Sequence, residues 1–353
     1  MSPFTSRRDF VKAGSSLTAG ALLTAPHVAR AAKNDKVIKI GLVGIGGRGS
    51  GAAAQAMGAD DNVALTAIGD LFEDRIKLRS RILKARGRDK FQVTPETTFT
   101  GFDAYKKVID SGVDVVILTT PPGFRPLHFK AAVEAGKHIF LEKPVGITPS
   151  ECRKLLRATK RSDRVLMIGH ELRYSPYFAK IKTLIDAGAV GTPHMTWCKE
   201  FRGPFQPKSR DWIQDRRKSG GCLVDKNCHH FDLMNWWLGA RPKLVSAFGS
   251  NAVNRIIPGT NQVHDHAVAN WEYANGTKGT LHLCLFGHKP PKETLEMGIV
   301  GDRGILQTDL DNLQILHWQD GKRKGEPRII KVKAKRGVGW GGHLGFAEIH
   351  PAF

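Results

Sequence analysis

The chain has 353 residues, 41% hydrophobic and 25% charged, and carries a net charge of +21. That balance excludes a disordered chain and suffices for two domains with cores of their own. Five cysteines, odd in number and without a C-x-x-C pair, argue against a disulfide framework, so the cores must supply the stability.

Residues 1–31 read as a twin-arginine export signal: Ser6-Arg7-Arg8-Asp9-Phe10-Val11-Lys12, a modest apolar stretch to Ala25, and Ala29-Arg30-Ala31 as a small-residue cleavage site. The apolar stretch is too short and too weak for a transmembrane span; the alternative is a basic amphipathic N-terminal helix. The signal implies a periplasmic or cell-envelope location and export of a folded protein with any cofactor already inside. A nucleotide carried out in this way has to be bound tightly and regenerated in place. Without the signal the chain is still strongly basic, but its Lys and Arg residues are spread over 75–90, 153–164, 202–218 and 322–336 with no nucleic-acid module around them. A solvated surface, not a specific nucleic-acid partner, is the reading.

Val37 to Val43 reads as a buried parallel strand running into Gly44-x-Gly46-x-x-Gly49, with a helix opening in the small apolar segment from Ala52 to Met57. This is the dinucleotide pattern. Gly44 makes the tight turn, Gly46 (after Ile45) admits the phosphates, and Gly49 packs helix against strand. The next strand, Val63 to Asp70, ends in a carboxylate placed to accept from a ribose 2′-hydroxyl, which favours NAD; nearby Arg75 leaves NADP open. Asp70 also reads as the N-cap of an Asp70-Leu-Phe-Glu73 capping box.

Alternation of helix and strand continues to about residue 170: helices over 74–86, 102–109, 127–135 and 149–160, strands over 113–119, 137–141 and 165–168. A doubly wound parallel sheet over 33–172 follows. From 173 the pattern changes to one amphipathic helix over 177–187 and extended segments over 194–201, 244–250, 264–273, 277–286 and 294–300, with turns such as Asn275-Gly276. This predicts an α+β second domain over 173–353, its open sheet largely antiparallel, one face on helices and one free for a partner.

Three clusters carry chemistry. Glu142-Lys143-Pro144 follows a parallel strand at the carboxyl edge, where ligands of such sheets bind. In Ser219 to Asp232, Asp225 and His229 are four apart, so the carboxylate could orient an imidazole that takes a proton. Cys222 and Cys228 lie in the same segment, but no standard zinc spacing is present and no metal is expected. Thr120-Pro121-Pro122 and Arg173-Tyr174 end strands facing the cofactor cleft. Asp232 reads as structural, and His264 and His266 as packed or surface groups.

Taken together, these marks resemble the glucose-fructose oxidoreductase / inositol dehydrogenase (Gfo/Idh/MocA) family, particularly its twin-arginine-exported members. The resemblance rests on Gly44-x-Gly46-x-x-Gly49, Thr120-Pro121-Pro122, Glu142-Lys143-Pro144 and Asp225-x-x-x-His229-x-x-Asp232, and covers nearly all of the chain after residue 31. It implies Lys143, Asp225 and His229 as the catalytic trio, with Lys143, Arg173, Asp225 and His229 around the substrate. It also implies a homo-oligomer built on the open sheet. The activity implied is nicotinamide-dependent oxidation of a hydroxyl on a sugar, sugar acid or cyclitol. The rivals are an NAD-dependent glycoside hydrolase or lyase working through transient oxidation, and an inactive nucleotide-binding relative.

Some positions depart from the family pattern. Asn227 stands where glycine is common and is expected to keep a left-handed backbone. Gly123 replaces a bulkier residue and is expected to widen the nicotinamide pocket. Gly341 to Phe353 stops where the family continues into helices that pack back on the first domain, so a C-terminal truncation is expected.

Overall fold

Alternation along each strand decides how the first sheet is covered. Ile38–Val43 (β1), Val63–Asp70 (β2), Thr98–Thr100 (β3), Val115–Leu118 (β4), His138–Leu141 (β5) and Leu166–Ile168 (β6) pair in parallel in the order β3-β2-β1-β4-β5-β6. Ile40, Leu42, Ile117 and Phe140 point to one layer, with Ala52, Ala53 and Met57 of helix α1 (Gly47–Ala59) and with Ile76 and Leu83 of α2 (Glu73–Gly87). Val43, Val116, Leu118, Ile139 and Leu141 point to the other, with Tyr105 and Val108 of α3 (Ala104–Asp110), Phe129 and Ala132 of α4 (Arg125–Glu134), and Leu155 of α5 (Pro149–Thr159). Side chains of period two thus build two cores on one sheet, with β4 buried throughout and most of β1, β2 and β5 buried. Strand β3 is short and half-exposed, and no apolar run announces it.

This computed structural model describes residues 36–204, 208–253, 262–286, 294–319, 325–334 and 349–353. The export signal expected over 1–31 lies outside them. None of the helices among the described residues is long and apolar enough to cross a membrane. Of the segment expected to be cut short, Ile349 is fully buried in the core under α1 and α2, with Phe353 packed against it. The His350 ring stacks on Phe140 at 4.4 Å between centroids. Ile349, His350 and Phe353 thus pack against the first sheet.

The second sheet is mixed and mostly antiparallel: Pro193–Phe201 (β7), Pro242–Ser250 (β8), His266–Tyr273 (β9), Lys278–Cys284 (β10), Thr294–Gly301 (β11), Gly304–Asp309 (β12), Gln314–Gln319 (β13) and Arg328–Lys331 (β14). They run in the order β14-β13-β12-β11-β7-β10-β9-β8, with β7 and β10 the parallel pair at the centre. Helices α6 (Pro176–Asp186) and α9 (Cys228–Leu238) cover one face through Phe178, Ile181, Leu233, Met234 and Trp237. Large rings need small neighbours there, since a Cβ on Gly279 would lie 2.1 Å from the Trp271 ring. β9 alternates as a half-covered strand should, burying Ala267, Ala269, Trp271 and Tyr273 and exposing Val268 and Asn270. β8 departs from that pattern, because all nine of its residues are exposed.

Candidate active site

The loop after β1 is shaped by close approach. Gly44 sits at φ +92°, and a Cβ there would lie 2.9 Å from the Thr120 nitrogen. Thr119 Oγ1 donates to the Gly44 carbonyl at 2.5 Å, and a Cβ on Gly49 would come within 1.9 Å of that same carbonyl oxygen. Only hydrogen fits at either position. At Gly46 and Gly47, by contrast, a Cβ would meet nothing within 4 Å. Helix α1 starts at this open spot with Gly46 as its N-cap and no side-chain cap, so its first-turn N–H groups face a space that an anionic pyrophosphate fits.

Asp70 braces this loop from the end of β2. Its Oδ2 accepts from the Ile45 N–H at 2.8 Å and its Oδ1 from the Phe72 N–H at 3.0 Å. The capping-box reading does not hold, since the N-cap of α2 is Phe72. Burial pushes the Asp70 carboxyl above its ordinary range, against those backbone bonds and Arg75.

The next two turns are tied to each other by Arg125, which the sequence reading missed. Its buried guanidinium donates to the carbonyls of Thr120 at 2.7 Å, Glu142 at 3.0 Å and Pro144 at 2.7 Å. One side chain thereby fixes Thr120-Pro121-Pro122 against Glu142-Lys143-Pro144. Thr120 Oγ1 also meets His128 Nδ1 at 3.1 Å, and burial pushes that imidazole down to about 4, so it stays neutral. Arg48, inside the glycine loop, pairs with the buried Glu142 carboxylate at 2.6 Å. Burial opposes ionisation of Glu142, but Arg48, Arg125 and Lys143 outweigh it and hold the carboxyl below its ordinary range. A single arginine among phosphate-loop glycines, with an acid ending a later strand, was the available signal for this pair.

Lys143 crosses to the second domain. Its Nζ donates to the Asp225 carbonyl at 2.5 Å. Burial works against the ammonium, yet the carboxylates of Asp225, Glu171 and Glu142 raise its pKa above the ordinary lysine value. Opposite it, Gly220 and Gly221 at φ +78° and +88° turn the chain from the short helix Arg216–Ser219 (α7) into Cys222–Asp225 (α8), from which α9 carries His229. Asn227 does not keep a left-handed backbone. It lies at φ −80°, and its side chain earns its place by meeting Glu200 Oε2 at 2.9 Å and His230 Nδ1 at 3.0 Å. Glu200, on β7 and 4% exposed, also faces Lys226 at 3.2 Å and Arg202 at 3.5 Å.

The carboxylate set beside His229 differs from the one expected. Glu171 Oε2 lies 3.5 Å from His229 Nδ1, both side chains buried, whereas Asp225 supplies Lys143 with its main-chain carbonyl. The His170 ring stands edge-on to His229 at 5.7 Å. Arg173, expected at the substrate, is held by Asp232 through two bonds of 2.6 and 2.7 Å and lies over the Trp236 ring. Asp232 is thus a structural anchor, as read. Burial raises the Cys228 thiol to about 12 and the Cys222 thiol to about 12, so both stay protonated near neutrality. Gly123 widens nothing, because a Cβ there would lie 2.7 Å from the Arg217 carbonyl, and that main chain occupies the space.

A model described as an oxidoreductase family with an NAD-binding Rossmann fold matches residues 38–170, and one for the GFO/IDH/MocA C-terminal domain matches residues 178–307. The chain belongs to the Gfo/Idh/MocA family. It is an NAD-binding oxidoreductase of the dehydrogenase type, and its glycine loop fits that cofactor. The myo-inositol 2-dehydrogenase of Thermotoga maritima is 28% identical over 275 residues, 77% of this chain and 75% of that one. The scyllo-inositol 2-dehydrogenase (NAD(+)) of Bacillus subtilis is 27% identical over 272 residues, 76% and 73% of the two. Among solved structures, a levoglucosan dehydrogenase in complex with NADH and levoglucosan superposes with a TM-score of 0.71 at 22% identity, covering 84% of this chain and 80% of that one, a likeness of fold.

Proposed function

We propose that this Gfo/Idh/MocA protein oxidises one hydroxyl of a sugar, sugar acid or cyclitol. The observation that carries the reading is the Lys143 bond to the Asp225 carbonyl, because it brings a half-buried cation from the cofactor-side turn onto the element that leads to His229. Gly44, Ile45, Gly46, Gly49, Asp70, Thr120, Pro121, Pro122, Glu142 and Lys143 form the cofactor side of the site. When bound there, NAD supplies the acceptor for the hydride that leaves the carbinol carbon. Lys143 holds the hydroxyl oxygen and offsets the charge that grows on it as its proton departs. His229 takes that proton at Nε2. Asp225 and Glu142 keep the lysine charged, and Arg173 acts through its hold on Asp232. The inositol dehydrogenase relatives support a polyhydroxylated substrate.

The reading extends to the cell. The Arg7-Arg8 segment favours export through the twin-arginine route to the periplasm, with the nucleotide resident and turned over by a second carbonyl or sugar substrate. The exposed strand β8, with Leu244, Val245 and Phe248 at 66%, 62% and 78% exposure, favours a homo-oligomer through the open sheet.

The test is nucleotide reduction by purified protein with added NAD over a panel of cyclitols, aldoses and aldonates, after identifying any nucleotide released on denaturation. Reduction by one class and near-stoichiometric released nucleotide are expected. Release of a leaving group from aryl glycosides without net reduction would replace the dehydrogenase with the hydrolase. A protein that neither carries nor binds NAD would end the proposal.

A further inference from the structure

A carboxylate buried to 1% exposure is costly unless cations or donors face it, so the position of Glu171 calls for a reason. It follows β6 at the carboxyl edge of the first sheet, in the short helix Glu171–Tyr174. Its Oε2 lies 3.5 Å from His229 Nδ1. Its charge also acts on Lys143, His170 and Cys228. Glu171 is therefore the acid shared by the two groups that handle the substrate hydroxyl. No glycine, proline or spacing pattern marks it, and it comes from the first domain while His229 comes from the second.

We propose that Glu171 is the positioning residue for His229. Its carboxylate accepts from Nδ1–H, which fixes the tautomer that leaves the Nε2 lone pair toward the substrate, and it stabilises the imidazolium formed when the hydroxyl proton arrives. The separation of 3.5 Å is that of an ion pair, and protonation of the ring would draw the two together. Charged or titratable groups near Glu171 and the ring include His170, which stands edge-on to it, with Lys143 from the turn after β5, Asp225 from α8, and Cys228 and Asp232 from α9. Lys143 and a protonated His170 act against the imidazolium, whereas Glu171 and Asp225 act for it.

This inference rests on the proposed role of His229 as base, and its test separates the two. In the full chain with ¹⁵N-labelled histidine, the His229 signal, identified by its loss in His229→Gln, is followed through a pH titration without substrate. The neutral ring should carry its proton on Nδ1, and Glu171→Gln should lower the titration midpoint by about one pH unit. Asp225→Asn should lower it less. With NAD and an accepted polyol, Glu171→Gln should move the acidic limb of kcat/KM in the same direction and reduce kcat by about tenfold or more, with KM changed less. Glu171→Asp should recover part of both. A neutral ring protonated on Nε2 in the unaltered chain overturns the proposal without any variant. So does an unmoved midpoint in folded Glu171→Gln. Midpoint shifts in a chain that oxidises no polyol would keep Glu171 as the partner of His229 while removing the dehydrogenase reading.

Discussion

The two sheets hold their halves of the site by different means. The parallel sheet is buried on both faces, and its ligand-facing turns are fixed from within by main-chain acceptors: the Gly44 carbonyl under Thr119, and the carbonyls of Thr120, Glu142 and Pro144 on Arg125. The mixed sheet is buried on one face. Its contribution, the helices bearing Asp225 and His229, is held by ion pairs: the buried Glu200 with Lys226, Arg202 and His230, and, nearer the surface, Asp232 with the exposed Arg173. A wall tied by the backbone is stiff and tolerates little change of shape. A wall tied by charges responds to pH and to the loss of one partner, because the ion left behind is buried and unpaired.

Lys143 joins the two walls, and replacing it should have the largest effect. Lys143→Ala is expected to lower kcat on an accepted polyol by about 10³-fold, roughly 4 kcal/mol. NAD affinity, followed by fluorescence quenching, should change only a few-fold, because the glycine loop is untouched. A variant that keeps full turnover would break the view of Lys143 as the link between cofactor and base.

Arg125 tests the backbone-tied wall alone. Arg125→Met removes the donor from three buried carbonyls, each worth about 1–3 kcal/mol when left unsatisfied, so a stability loss of at least about 3 kcal/mol is expected in urea denaturation. NAD binding should weaken with it. A loss below about 1 kcal/mol would mean that water or a shifted neighbour replaces the guanidinium, and that the turns hold themselves.

The same contrast explains what was legible beforehand. Gly44, Gly49, Gly220 and Gly221 are glycine because of φ or close approach, and Pro121, Pro122 and Pro144 punctuate strand ends, so composition and spacing expose them. The strands that were read have apolar runs of period two, whereas β3 and β12 to β14 are short or mixed and gave no such run. Arg48, Arg125, Glu171 and Glu200 are ordinary charged residues whose burial exists only once distant segments meet. Nothing in a window of ten residues distinguishes Glu171 from a surface glutamate. Asn227 shows the converse, since its allowed backbone suggested one reason and its side-chain bonds to Glu200 and His230 supplied another.

Acid should act on the two walls in different pH windows. His128 and His350 are held near 4 by burial, against 6.5 for an exposed imidazole, so the folded state keeps both neutral. Between those values the unfolded chain binds more protons. Their contribution is therefore complete above about pH 6.5 and is lost as pH falls toward 4, about 1–2 kcal/mol each by about pH 5. His128→Phe should flatten part of that slope in denaturation curves at pH 7 and 5. The depressed carboxyls of Glu142 and Glu200, one in each wall, act below this window, so a variant slope identical to the parent's would show that the burial of His128 does not set the acid sensitivity of the backbone-tied wall.

The smallest effect on the single chain, and the sharpest test of the half-covered sheet, is on β8. Phe248 is 78% exposed and pairs through its backbone with Val268 of β9, so its ring contributes little to the fold of one chain. Phe248→Lys should leave the unfolding free energy of the monomer within about 0.5 kcal/mol. If a second copy covers this strand, the same substitution places a desolvated charge in the interface, and light scattering should show the mass per particle falling toward that of one chain. The two outcomes divide cleanly because the strand is exposed on both faces. A monomer destabilised by several kcal/mol would mean that the ring packs within its own chain, whereas unchanged mass and unchanged stability would leave the open sheet uncovered in solution, and the contrast with the doubly buried parallel sheet would then hold for the isolated molecule itself.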